Sequence, residues 1–448
     1  MLRKLILIIL SASILFLLAL ATWVYQLNSQ IKESLANKRF LPPTTFYSAP
    51  VFYQQKDLLT PESVLQDFEK RQYRPRDSQQ TLQTGDYFYS NNKEACLQFF
   101  HNHPLDSGNS SNFAWNTAET NFDVAQIMET SQACLIFRKK MVQEIPTSSN
   151  NNDEPEQAVF FSQNEIQSIW QNRLPTTRAY LEPQIFAQFL ENQPIMQTYT
   201  TLGNTPTQCL NAVLAIEDSQ FLEHQGVSWT GILRAAISNL LGRHRQGGST
   251  ITQQMVKNYF LTSERTLKRK AIEFFMALIL ESHASKDEII ETYLNIIYMG
   301  QNGPFQVRGF GAASQFYFQK YLTDLNLPEC ALLAAVLNGP GVYDPFRKAD
   351  KALGRRRLVL DRMKELNFIS DSEYQQAIQT PLPFQKNELL AETAPYFLHA
   401  ASKQLKDMGL DLASGDLIGG HVFTSLRTDI QSVAQSTVGQ QLAILEKE

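Results

Sequence analysis

The sequence predicts a mainly α-helical chain with a transmembrane helix at its N-terminus and a small α/β accessory domain ahead of a large helical domain. Three observations predict this. Leu5 to Tyr25 (LILIILSASILFLLALATWVY) runs without a charge. From about 61 to 160, short strand-like runs such as DYFYS, CLQFF, ACLIFRKKMV and AVFF alternate with polar loops. From about 205 to 405, apolar residues recur with the period of amphipathic helices.

The elements follow in order. At about 1.5 Å of rise per residue, the apolar run is long enough to cross the hydrocarbon core. Arg3 and Lys4 precede it, and Trp23 and Tyr25 stand where an interfacial aromatic belt belongs. The basic flank stays cytoplasmic, so residues 1–25 are expected to form a single-pass anchor in the cytoplasmic (inner) membrane, with the rest on the periplasmic face. A cleaved signal peptide is the competing reading, but the run is long for one and no small-x-small cleavage site follows. Residues 26–60, with Pro42, Pro43 and Pro50, suggest an extended stalk. Residues 61–160 make the accessory domain, in which Pro146–Gln157 is polar enough to be a loop or hairpin tip. Residues 161–204 connect it to the helical domain of 205–405. There, Val227–Gly242, Lys268–Ala284, Lys286–Gly300, Pro328–Gly339 and Ala352–Leu366 are each long enough for a helix. Residues 406–448 end in a strand-like HVFTSLR and a final helical pattern.

Composition narrows the function. The chain has 448 residues, 43% of them hydrophobic, which supports several packed cores. A net charge of -4 argues against a nucleic-acid partner, which calls for a basic surface. The cysteines, Cys96, Cys134, Cys209 and Cys330, show no metal-binding spacing. Cys96 and Cys134 share one candidate domain and are candidates for a bridge, which spacing alone does not decide.

Four constellations hold chemistry. In EDSQFLEHQG, Glu217 and Asp218 lie in an apolar neighbourhood. On a continuous helix, Glu217, Phe221 and His224 would share a face. A carboxylate with little water around it finds a cation or takes up a proton; the plainer reading is a helix-terminus feature. In QGGSTITQQMVKN, two glycines precede Ser249 and Thr250 at a plausible helix start. Thr250, Gln253, Gln254 and Lys257 then fall on one face, suited to a phosphate or merely solvated. In RTLKRKAIE, Arg265, Arg269 and Glu273 recur every fourth residue. They form either a surface ion-pair ladder or a pair of guanidiniums for an anion beside an ionised acid. In VSWTGILRAAISNLLGRHR, the apolar stripe from Trp229 to Leu240 ends in Arg243 and Arg245. It fits a membrane interface or a core helix.

These motifs, followed by KDEIIETYLNIIYMGQN and RRRLVLDRM, stand in an order and spacing that resemble the glycosyltransferase family 51 domain of class A penicillin-binding proteins and monofunctional peptidoglycan glycosyltransferases. TRAYLEPQIF and the layout are similar to the 1b-type proteins, which place an accessory domain between anchor and transferase. TGDYFYS is the main local likeness in residues 61–160.

The resemblance implies a lysozyme-like helical transferase fold and a membrane-anchored enzyme of bacterial cell wall synthesis. Such an enzyme polymerises lipid II into β-1,4 glycan strands by inverting displacement of undecaprenyl diphosphate, and is a moenomycin target. Glu217 matches the family's general base, which takes a proton from a sugar hydroxyl. Glu273 matches the second essential acid and would orient the basic groups, or a divalent cation, near the diphosphate. Lys257, Arg265, Arg269 and Lys270 would meet charge developing on the diphosphate. Ser249, Thr250, Gln253 and Gln254 would hold diphosphate and sugar, and Asn258 and Asn295 complete the implied substrate-binding set. Asp218 is expected to support the base, and Phe221 and His224 to wall it so that its pKa is raised. No tightly bound cofactor is implied; a divalent cation, Mg or Mn, would accompany the diphosphate. The implied partners are lipid II, the nascent strand, membrane lipid and a protein activator docking on residues 61–160.

Class A proteins continue into a transpeptidase. Here S-x-x-K occurs only at Ser29–Lys32 and Ser90–Lys93, both out of context, and K-T-G is absent. Residues 406–448 resemble the lead-in to that domain, and penicillin binding is not expected. Two rival functions are a glycan-cleaving lytic enzyme and a non-catalytic scaffold. The cations of the second and third motifs count against the first, since glycan cleavage releases no diphosphate. Retention of Glu217 and Glu273 counts against the second.

Overall fold

The computed structural model describes residues 18–33, 35, 42–71, 73–103, 123–139, 156–190, 192–232, 248–261, 266–381, 394–414 and 417–445. The chain forms two compact units. One comprises Met1–Thr45, Ala187–Glu392 and Leu398–His421, the other Phe46–Phe186, Thr393–Phe397 and Val422–Glu448.

Helical residues 18–33 (α1) belong to the first unit. Ile31 is fully buried in that unit's core and Leu27 nearly so, while Trp23 packs edge-on against Phe275. The end of the predicted apolar span therefore runs into a helix docked on folded protein, where an extended stalk is expected. Most of the span lies outside the described residues. Among the described residues no helix is long and apolar enough to cross a membrane.

The second unit is built on a six-stranded sheet. Its order is Arg74–Pro75, Asp86–Ser90, Ala133–Arg138, Glu156–Ser162, Glu165–Gln171, Leu174–Thr176. All pairs are antiparallel except the first. The strand Ala133–Arg138 is apolar on both faces, and alternation explains why. Leu135 and Phe137 face a core with Val64 and Phe68 of helix α2 (Pro61–Lys70). Cys134 and Ile136 face another with Phe99 of α3 (Lys93–Asn102) and Met128 of α4 (Val124–Thr130). Helices thus cover both faces. The bridge suggested by the sequence is present: Cys96 of α3 is bonded to Cys134 of the central strand. Of the loop expected at Pro146–Gln157, residues 146–155 lie outside the described residues, and Glu156 and Gln157 instead open the strand that pairs with Ala133–Arg138. The sheet continues through Thr176, so the domain boundary expected at 160 falls inside it, because a tight turn after Ser162 returns the chain as the next strand.

The first unit is mainly helical. Helix α5 (Thr207–Glu217) is apolar on nearly all sides and buried from Ala212 to Ala215, as a central helix must be. Among the described residues, 229–232 are helical, and then come α6 (Ile251–Phe260), α7 (Leu267–Glu281), α8 (Lys286–Ile296) and α9 (Gly309–Phe318). Then come α10 (Leu327–Leu337), α11 (Ala349–Glu365) and α12 (Asp371–Gln379). Thr250, Ser285, Asn326 and Ser370 each close a capping box with the Gln or Glu three residues on, which fixes where α6, α8, α10 and α12 begin. Helix α10 is buried from Pro328 to Val336 and packs on α5 and α11. A second disulfide, Cys209–Cys330, joins α5 to α10 with 4.5 Å between the Cα atoms. Helix α6 packs on α7 and α8. In a further sheet Gln193–Gln197 runs parallel to Phe305–Arg308, which pairs antiparallel with Tyr298–Asn302.

Candidate active site

Helix α5 delivers Glu217 at its last turn, and the chain then breaks. Asp218 is the C-cap, with φ -160° and ψ 80°. The expectation of one helical face for Glu217, Phe221 and His224 is therefore corrected: a turn, not a helix, brings Phe221 and His224 back. The turn is tied down at every corner. Asp218 Oδ2 accepts from the Ile251 backbone N–H at 3.0 Å and from His224 Nε2 at 2.9 Å. Its charge thus sits on the N-terminus of α6, where a helix favours an anion. The Phe221 ring lies edge-on to His224, 6.2 Å away, and under the Lys286 ammonium at 4.4 Å. Lys286 Nζ also donates to the His224 carbonyl and to Glu281, each at 2.6 Å. Gly226 ends the turn with φ +81°; a Cβ there would stand 2.5 Å from the Ala277 carbonyl oxygen. Its own carbonyl accepts from Thr250 Oγ1 at 2.6 Å.

Glu217 itself is held by one oxygen. Gln254 Nε2 donates to Oε2 at 2.7 Å, while Oε1 is buried with no hydrogen-bond partner. Burial pushes the Glu217 carboxyl above the ordinary carboxylate range. The Gln254 hydrogen bond and the Arg355 charge oppose that shift, and Asp218 adds to it. A carboxylate with one free, poorly hydrated oxygen is suited to accept a proton.

The second group lies along α6 and α7. Glu273 is buried, and both its oxygens are taken: Oε2 by Arg269 at 2.9 Å and Oε1 by Lys270. Lys270 also donates to Ser249 Oγ at 2.7 Å, joining the start of α6 to α7. Two cations share one acid, so the cluster keeps a net positive charge. Lys257, one turn beyond Gln254, and Asn258 are exposed on α6. Arg265 lies outside the described residues, as do Arg243 and Arg245. Trp229, in contrast to a core helix, is two-thirds exposed and leans on Phe274.

Some expected binding residues are architectural. Thr250 and Gln253 are buried and cap each other. Asn295 is buried, with its side chain bonded to the Thr200 N–H and carbonyl and to the Glu291 carbonyl. It fixes the segment entering α5 instead of facing Glu217. Three groups escaped sequence reasoning. Arg355 acts on Glu217 from α11, and its signal is a triple arginine inside an apolar helical pattern. Lys286 clamps the turn, and Tyr293 hydrogen-bonds Gln254 at 3.0 Å. Neither of these has a local sequence signal beyond its helix. Each Glu273 oxygen already faces a cation, and among the described residues no cluster of His, Cys, Asp or Glu is arranged to hold a metal.

Residues 182–364 match the family model described as Transglycosylase, a range that begins earlier and ends sooner than the predicted 205–405. Penicillin-binding protein 1B of Vibrio cholerae serotype O1 is 41% identical over 286 residues, covering 63% of this chain and 36% of that protein. The protein of the same name from Haemophilus influenzae is 40% identical over 246 residues, covering 55% of this chain and 32% of its own. That of Escherichia coli strain K12 is 35% identical over 269 residues, covering 60% and 32%. The match thus spans about a third of the length of these curated relatives.

Proposed function

We propose that this chain, whose residues 182–364 form a domain of the transglycosylase family, is a peptidoglycan glycosyltransferase of bacterial cell wall synthesis. Its substrate in this reading is lipid II, and its product a β-1,4 glycan strand. The observation that supports the reading most is the pairing of two unlike acids. Glu217 is buried beside one amide with a free oxygen, and Glu273 is locked between Arg269 and Lys270.

The chemistry assigns each its part. Oε1 of Glu217 takes the proton of the acceptor sugar hydroxyl as that oxygen attacks the anomeric carbon. The bond to the lipid diphosphate breaks on the opposite face, so an α-linked donor gives a β-linked product. The diphosphate leaves as a stable anion and needs positive charge more than a proton. Lys270 and Arg269, aimed by Glu273, and Lys257 supply that charge. The donor set does not suit a protein-held divalent cation, so a cation with the diphosphate would be brought by the substrate.

A membrane site for this chemistry is part of the proposal. The row of rings Trp23, Phe275, Phe274 and Trp229, together with exposed Leu267, offers an apolar surface beside α7 to a lipid tail. The anchor of residues 1–25 would hold that surface at the outer face of the inner membrane. The test is incubation of the full chain with lipid II in detergent, followed by digestion of the product with a β-1,4 muramidase. Muramidase-sensitive polymer is expected. Unchanged lipid II would refute the reading, and cleavage of purified glycan strands would favour the lytic alternative.

A further inference from the structure

Glu217 does not choose its own geometry. Its partner is a primary amide, whose two ends have opposite character: Nε2 donates and Oε1 accepts. If Nε2 faces Glu217, the carboxylate is favoured. If Oε1 faces it, the protonated acid is favoured, because only the acid has a proton to donate. A half-turn of one amide therefore separates a base from a spent base.

What fixes that turn is on α8. Tyr293 is fully buried, and its hydroxyl lies 3.0 Å from Gln254 Oε1. Among the described residues that oxygen is the hydroxyl's one hydrogen-bond acceptor. A buried O–H left without an acceptor is expensive, so the phenol holds Oε1 on its own side and turns Nε2 toward Glu217. We infer that Tyr293 is a positioning residue for the general base, acting through the Gln254 amide to keep Glu217 ionised with Oε1 open. The inference rests on the reading of Glu217 as base.

The charged groups around Glu217 are few. Asp218 follows it in the chain, Arg355 faces it from α11, and Tyr293 itself approaches from α8. From α6 comes the neutral Gln254. On α10, Glu329 is paired with Lys320 and Cys330 is in a disulfide. The phenol is held neutral across the working range, since burial and the two nearby carboxylates raise its pKa well above the ordinary value. It therefore acts as a fixed donor and not as a second titrating group.

The experiment is a 13C titration of the Glu217 side-chain carboxyl in the full chain, assigned with Glu217→Gln, for wild type and Tyr293→Phe. Loss of the hydroxyl frees the amide to rotate, so the Glu217 midpoint should rise by roughly 0.5–1 pH unit, a three- to tenfold loss of ionised base below it. The acid limb of kcat should move by the same amount. An unchanged midpoint in folded Tyr293→Phe would overturn the inference, even if the rate falls. Should that variant not fold, wild type labelled at the Tyr293 Cζ answers the question. The label should titrate with the Glu217 midpoint, and a silent label would overturn the inference. The carboxyl titration does not depend on turnover, so failure of the glycosyltransferase reading would show separately, as absence of polymer from the wild type.

Discussion

The Cys209–Cys330 bridge offers a sharp test of how the site is held. It closes a loop with a sequence separation of 121, and that loop contains Glu217, Asp218, Gln254, Glu273 and Tyr293. Both cysteines are fully buried between α5 and α10. Replacing both by alanine removes a constraint on the unfolded chain that, from the loop length and the chain-entropy relation, amounts to roughly 5 kcal/mol. For a unit of about this size, that corresponds to a fall in Tm of roughly 10–20 °C. The same arithmetic for Cys96–Cys134, with a separation of 38, gives roughly 4 kcal/mol, but in the other unit. The assay is calorimetry of the wild type and both double variants, with polymerisation measured in parallel. The 209/330 variant should lower the transition of the site-bearing unit and shorten the lifetime of activity on warming. The 96/134 variant should leave that transition in place. Equal Tm values for wild type and the 209/330 variant would refute the claim that the bridge secures α5 to α10.

Three further outcomes follow from the same geometry. Gly226→Ala combines a left-handed backbone with a 2.5 Å approach to the Ala277 carbonyl, and should destabilise by about 2–5 kcal/mol, read by urea unfolding; a change below about 0.5 kcal/mol would be inconsistent with the turn described. Lys270→Met removes a cation shared by Glu273 and Ser249, and should lower polymerisation by about a hundredfold at a temperature where the variant stays folded; wild-type rate in the variant would exclude Lys270 from the diphosphate site. Glu217 carries a folded pKa raised by burial, so its ionisation opposes folding: the deficit is absent below the ordinary value of 4.5, where both states are protonated, grows as pH rises through the folded pKa, and is fully present above it. Glu217→Gln should therefore raise Tm at neutral pH and not at pH 4, and a Tm lowered at both would contradict the sign.

The sequence carried the helical domain well because its signals are local. Thr250 with Gln253, Ser285 with Glu288, Asn326 with Glu329 and Ser370 with Glu373 mark helix starts by chemistry within four residues. The apolar run from Ala212 to Ile216 likewise announces a buried helix just before Glu217. The break at Asp218 was not legible, since its cause lies more than thirty residues on, at the Ile251 N–H. The roles of Tyr293, Lys286 and Arg355 were hidden for the same reason: they reach the site from helices far along the chain, Lys286 and Tyr293 from α8 and Arg355 from α11. The residues read as one polar face of α6 divide by depth. Gln253 turns inward to cap, Gln254 meets Glu217, and Lys257 stays in solvent. Periodicity gives the angle of a side chain, whereas burial depends on what packs against it.

The most direct test of the central claim is lipid II polymerisation by wild type and Glu217→Gln, measured side by side at equal protein. The amide is nearly isosteric, keeps an acceptor for Gln254 Nε2, and lacks only the capacity to take a proton. Glycan strands from the wild type and a rate lower by roughly 10²–10⁴-fold in the variant are the expected result. Equal product from both would remove Glu217 from the mechanism.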